Sequence, residues 1–109
     1  MGRTEIPPGT LYMLILKSLA RLGPMHGYGI AQHIQQQSED VLQVEEGSLY
    51  PALQRMLIKG WVLAEWGQSE NNRRARYYHL TAAGKKQLTA EISEFERVMA
   101  AIGRVIQPA

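Results

Sequence analysis

With 109 residues, 45% of them hydrophobic and 20% charged, the chain is long enough for one small domain with a modest core and too apolar to remain disordered. The absence of cysteine excludes disulfides, thiolate chemistry and cysteine-ligated zinc, and a formal net charge of +2 points only weakly to a polyanionic partner, whose affinity would rest on how the charge is distributed. The longest apolar run, Leu11 to Leu16, is too short to span a membrane and has no signal-peptide flanks, so the sequence reads as a cytoplasmic protein with no membrane role.

Residues 1–8 are polar, end in Pro7-Pro8 and read as an arm. "GTLYMLILKSLARLG" follows as a first helix, with Leu11, Leu14, Ile15, Leu19 and Leu22 on one apolar face. Tyr12, Met13 and Leu16 make other faces apolar too, and a helix apolar nearly all round needs burial on two sides. In so small a chain the second side points to another subunit. Gly23-Pro24 ends this helix, and "HGYGIAQHIQQQS" forms a second, with Tyr28, Ile30, Ala31 and Ile34 turned inward. Gly27 and Gly29 are poor helix formers and suggest close packing near its start. "VLQV" (residues 41–44) reads as a brief strand or an extended connector.

The third helix lies in "EEGSLYPALQRMLIKGW" and ends at Gly60. Pro51 interrupts its apolar pattern, and a proline is tolerated where helix amides have no intrahelical acceptor. A start near Gly47 or Ser48 meets this condition and gives Ser48 a capping role. Leu49, Leu53, Met56 and Leu57 then face the core, leaving Ser48, Tyr50, Ala52, Gln54 and Arg55 outside. Glu45 and Glu46 sit at the positive end of the helix dipole and should turn away from any phosphate. Outside residues of these types can bind a duplex: Ser48 and Tyr50 through phosphates, Gln54 through adenine, Arg55 through guanine or phosphate. An ordinary amphipathic helix with solvated outer residues has the same pattern.

"WVLAEW" and "RRARYYHL" read as two strands joined by the turn cluster "GQSENN". Arg73, Arg74 and Arg76 lie on this hairpin; in an extended strand Arg74 and Arg76 share a side, and one of Tyr77 and Tyr78 faces the core. Arginine suits phosphate forks and narrow minor grooves. Lys85 and Lys86 could extend the basic surface. Thr81 can cap a last helix from Ala82 to about Val105, along which Leu88, Ile92, Phe95, Met99, Ile102 and Ile106 trace a heptad-like seam. A single domain leaves little to cover this stripe, so the seam points to a homodimer in which it meets a partner, including the partner's first helix with Leu11 and Leu14.

No metal or catalytic spacing stands out. His26, His33 and His79 are not spaced as ligands, Ser48 has no His/Asp relay nearby, and no glycine-rich phosphate loop occurs. No cofactor and no enzyme activity is expected. The element order is mainly α with a small β-hairpin: a winged helix-turn-helix, residues 1–80, followed by a dimerisation helix, residues 81–109. That layout predicts binding to double-stranded DNA. Two rival readings share it: a winged-helix module that binds protein instead, and a small-molecule sensor with a pocket at the dimer interface.

Three separated motifs in this order, "GTLYMLILKSLARLGPMHGYGIAQHI", "EEGSLYPALQRMLIKGWV" and "RRARYYHLTAAGKKQL", resemble the PadR-like transcriptional regulators over residues 9–90. The resemblance implies a dimeric winged-helix repressor of the short subclass, with one C-terminal dimerisation helix. It implies operator binding by the helix that holds Tyr50 and by the basic wing. It also implies that small aromatic effectors can release the operator. Multidrug-sensing relatives hold such ligands with a tryptophan on the last helix; here Phe95 is the only aromatic residue on that helix.

Overall fold

The computed structural model describes residues 2–108. Its elements run β1 (Thr4–Glu5), α1 (Leu11–Leu22), α2 (Gly27–Gln37), β2 (Leu42–Gln43), α3 (Glu46–Ile58), β3 (Val62–Gln68), β4 (Arg74–Leu80) and α4 (Ala82–Ile106). Three helices, a hairpin and a long terminal helix form a winged helix-turn-helix with an appended helix.

One core holds the three short helices together. Ile15, Leu16 and Leu19 of α1 meet Ile30 and Ile34 of α2, Leu49, Ala52, Leu53 and Met56 of α3, Val62 and Tyr78 of the hairpin, and Leu88 of α4. Each helix contributes residues at three- and four-residue spacing, which is why the local apolar pattern is a sufficient guide to them. Ser18 is the one buried polar residue among the described residues; its Oγ donates to the Leu14 carbonyl at 2.7 Å, so no polar group is stranded.

Four features differ from expectation. The N-terminal segment is not a free arm: Thr4 and Glu5 pair in parallel with Leu42 and Gln43, and Ile6 packs against the core. Leu22 is exposed, because it lies at the end of α1, past the helix's packing partners. Tyr28 is 68% exposed rather than inward, since Gly27, Ile30 and Ile34 already define the buried face of α2 and Tyr28 stands about 100° from Gly27 around the helix. Ala52 is fully buried, not outward, because it falls between Leu49 and Met56 on the core side of α3.

The start of α3 also moves. Its N-cap is Glu45, and the Ser48 and Leu49 amides both donate to the Glu45 carbonyl, at 3.0 and 2.9 Å. Ser48 is therefore inside the helix and caps nothing, and Pro51 lies in the second turn. The missing Pro51 amide deprives the Gly47 carbonyl of its usual partner. Gly47 and Pro51 are both exposed, so water can take that acceptor.

The hairpin is antiparallel, with Val62 opposite Leu80, Ala64 opposite Tyr78, Trp66 opposite Arg76 and Gln68 opposite Arg74. The first strand runs two residues further than expected and the second begins one residue later, so the loop moves along the chain: residues 69–73 close it, with the Ser69 amide on the Arg73 carbonyl at 2.8 Å. Arg73 is thus in the turn, not the strand. Tyr78 is buried and Tyr77 half-buried, one core and one outer tyrosine.

Thr81 caps α4: its Oγ1 accepts from the Gly84 amide at 3.0 Å and donates to the Gly60 carbonyl at 2.6 Å. Gly84 lets the helix rest on the backbone after α3, because a β-carbon there would collide with the Trp61 carbonyl oxygen. Beyond Ile92 the helix leaves the body, and Phe95, Val98, Met99, Ile102, Val105 and Ile106 are all exposed. The radius of gyration is 15.2 Å, against about 13 Å for a compact chain of roughly 100 residues; the overhanging helix accounts for the excess. Glu94 and Arg97 pair off the seam at 2.7 and 2.8 Å, and the bond from Arg97 holds the Glu94 carboxyl below its ordinary range. No helix among the described residues is long and apolar enough to cross a membrane.

Candidate nucleic-acid interface

The buried residues of α3 leave its outer strip to Gly47, Pro51, Gln54 and Ile58, with Tyr50 on one flank and Ser48 and Arg55 on the other. Tyr50 leans toward α2. A β-carbon at Gly27 would approach its ring to 2.8 Å, so glycine at this position sets how closely the two helices meet. The tyrosine still exposes 45% of its surface. Burial, reinforced by the negative charge of Glu46 and by Tyr78, pushes its phenol above the ordinary value, so it stays protonated and able to donate at neutral pH.

An open cleft of about 830 Å³ separates α2 and α3 from the wing. Tyr50 and Gln54 line it on the helix side and Arg73, Arg74 and Arg76 on the wing side. These five residues, far apart in sequence, therefore face one space. Ser48 and Arg55 do not line it. Arg55 instead donates from Nε to the Tyr12 hydroxyl of α1 at 2.6 Å, and Tyr12 packs edge-on against Trp61 at 5.6 Å between ring centroids. Arg55 thus ties α3 to α1, a restraint no helical pattern could show.

The electrostatics suit an anion. Arg74 and Arg76 are exposed, and among the described residues no carboxylate lies within 4.0 Å of either. The nearest wing carboxylate contact, Glu65 with His79 at 3.9 Å, is on the opposite face of the hairpin. Glu46 does not line the cleft; it borders an adjoining groove that shares Tyr28, Gln32, Gln36 and Tyr50 with it. Glu70 does line it, at the wing tip beside Arg73. Lys85 and Lys86 are exposed at the start of α4.

Sequence reasoning passed over three side chains of this cleft. Tyr28, which the helical pattern turns inward, lines the cleft instead. His26 caps α2, its Nδ1 accepting from the Gly29 amide at 3.0 Å, and its ring lies face-on to Tyr28 and edge-on to Tyr77. Trp66 stands on the wing face that carries Arg74 and Arg76. Alternation from Val62 through Ala64 to Trp66 would have placed it there. Among the described residues no group of three or more acidic or histidine side chains is arranged to hold a metal.

A helix that presents Tyr50 and Gln54 to the same cleft as a wing bearing exposed arginines, in this order of elements, defines a winged-helix DNA-binding protein. Residues 15–90 match the model of the transcriptional regulator PadR-like family, and the chain belongs to that family of DNA-binding regulators. It is 30% identical over 98 residues, 90% of this chain and 89% of the other, to an uncharacterized protein of Lysinibacillus sphaericus. Among solved structures it is similar to a transcriptional regulator from Clostridium thermocellum, at 25% identity and a TM-score of 0.82, covering 91% of this chain and 95% of that one. A PadR-like regulator from Bacillus cereus gives 25% and 0.76 over 93% and 95% of the two chains. A PadR family regulator from Clostridium difficile gives 28% and 0.75 over 90% and 99%.

Proposed function

We propose that this chain is a homodimeric repressor that binds a pseudo-palindromic operator and acts in the cytoplasm without enzymatic activity. Tyr50 and Gln54 contact the major groove while Arg73, Arg74 and Arg76 hold the flanking backbone. Ser48 and Arg55, on the other flank of α3, serve the opposite strand, with Arg55 also bracing the helix through Tyr12. The convergence of Tyr50, Gln54 and three wing arginines on one cleft carries this reading.

Residues 1–80 form the DNA-binding unit and residues 81–109 the dimerisation helix. The division is one of role, since Leu88 of α4 is part of the common core. The dimer reading rests on the exposed row Phe95, Met99, Ile102 and Ile106, which continues the line of Leu88 and Ile92 past the end of the body. Leu11 and Leu14 of α1, half-buried in the single chain, complete the interface. Coverage of 95% or more of the C. thermocellum, B. cereus and C. difficile relatives favours the short subclass, with a single helix after the wing. A small aromatic effector at the dimer interface would have Phe95 as the helix's one aromatic contact.

The test is a gel shift on the region upstream of the chain's own gene. Arg74→Ala is expected to weaken binding and flatten its salt dependence, by about one phosphate's share of the slope. Unchanged affinity and slope would remove the wing from the interface.

A further inference from the structure

The wing holds an aromatic ring for which neither the core nor base reading has a use. Trp66 is 59% exposed. Strand register places it two cross-strand pairs beyond Ala64 and Tyr78, which pack on the body, so on the same face as they are, and directly opposite Arg76. Arg74 is the next residue outward on the same face. The guanidinium carbon of Arg74 lies 4.4 Å from the indole centroid and that of Arg76 5.8 Å. Both are within the range of cation–π attraction.

This support differs in kind from an ion pair. A carboxylate would occupy the guanidinium donors and cancel the charge, and none is within 4.0 Å of either arginine among the described residues. A ring takes the flat side of a guanidinium and leaves its in-plane N–H groups and its full charge available. A long side chain also loses rotamer freedom when it binds, and ordering it beforehand removes part of that cost.

We propose that Trp66 is a positioning residue of the wing: its indole holds Arg74 and Arg76 extended along the cleft, with donors free for DNA phosphates before the duplex arrives. The proposal rests on the DNA-binding reading above and goes further, because it makes an uncharged side chain responsible for the state of two charged ones.

A double-mutant cycle tests it, by anisotropy on a labelled duplex of roughly 30 base pairs, enough for two half-sites one turn apart, taken from the chain's own upstream region. Trp66→Ala should weaken binding about tenfold, and Trp66→Phe, which keeps a ring, should stay within about threefold of the parent. In an Arg74→Ala/Arg76→Ala background, Trp66→Ala should change nothing further. An equal loss with and without the arginines would overturn the proposal, because the ring would then be touching DNA or holding the fold. A second arm needs no DNA. In the free protein the side-chain methylene protons of Arg74 should be shifted upfield by the indole and return to ordinary positions in Trp66→Ala. Their absence in the parent overturns the platform whatever the duplex does. Failure of the parent to bind any duplex, with those shifts present, would instead sink the DNA-binding reading.

Discussion

Tyr50 shows packing and recognition meeting in one side chain. Its ring rests on Gly27, yet its edge reaches the cleft that Gln54 and the wing arginines share. Its phenol pKa is raised above 10.0, first by burial and then by Glu46. Both causes disfavour tyrosinate, so the contribution to stability is present below the unfolded pKa and lost as pH rises through the folded value. An ultraviolet difference titration of the parent against Tyr50→Phe should place the Tyr50 step above an ordinary tyrosine. Glu46→Gln should move that step downward. A step at or below the ordinary value would contradict the packing described. The types of residue facing the cleft were legible in the sequence because tyrosine, glutamine and arginine advertise their chemistry. Their partners were not: the bond from Arg55 to Tyr12 joins α3 to α1, and nothing local encodes it.

At the scale of elements, the helices and the hairpin were legible because apolar periodicity is local, and the Thr81 cap because it precedes a strong helical pattern. The failures have a common physical cause. Placing Pro51 in the first turn assumed that a lost helix bond must be avoided, whereas the exposed Gly47 carbonyl can bond water instead. The pairing of β1 with β2 joins Thr4 to Leu42, a long-range contact with only two residues on each strand to signal it. Two outcomes follow from α4. Gly84→Ala pushes a β-carbon into the Trp61 carbonyl, a backbone atom that cannot rotate away, and should destabilise the fold by about 1–3 kcal/mol in chemical denaturation. An unchanged midpoint would mean that the helix can slide. Ile102→Glu removes nothing from the core, since Ile102 is 43% exposed in the single chain. It should therefore leave the circular dichroism intact while halving the mass seen by light scattering. A parent that is already monomeric, or a variant that still dimerises, would contradict the proposed seam.

The whole molecule is a compact reader with a long handle, 57 Å in its greatest extent and 22 Å in its least. In the proposed dimer, paired through the overhanging half of α4, the two α3 helices have to reach successive half-sites. Helix-turn-helix dimers meet half-sites about 34–36 Å apart. Fold class was legible at this scale from element order alone; the arrangement of two copies was not, because an exposed seam does not say how a second copy would lie against it.

The measurement that bears most directly on the central claim is the salt dependence of duplex binding by the parent protein, read together with stoichiometry. Two chains should bind per operator, and the logarithm of the association constant should fall with the logarithm of salt at a slope of roughly −5 or steeper, as expected for six or more phosphate contacts. A flat dependence, or no binding at low salt, would contradict the account.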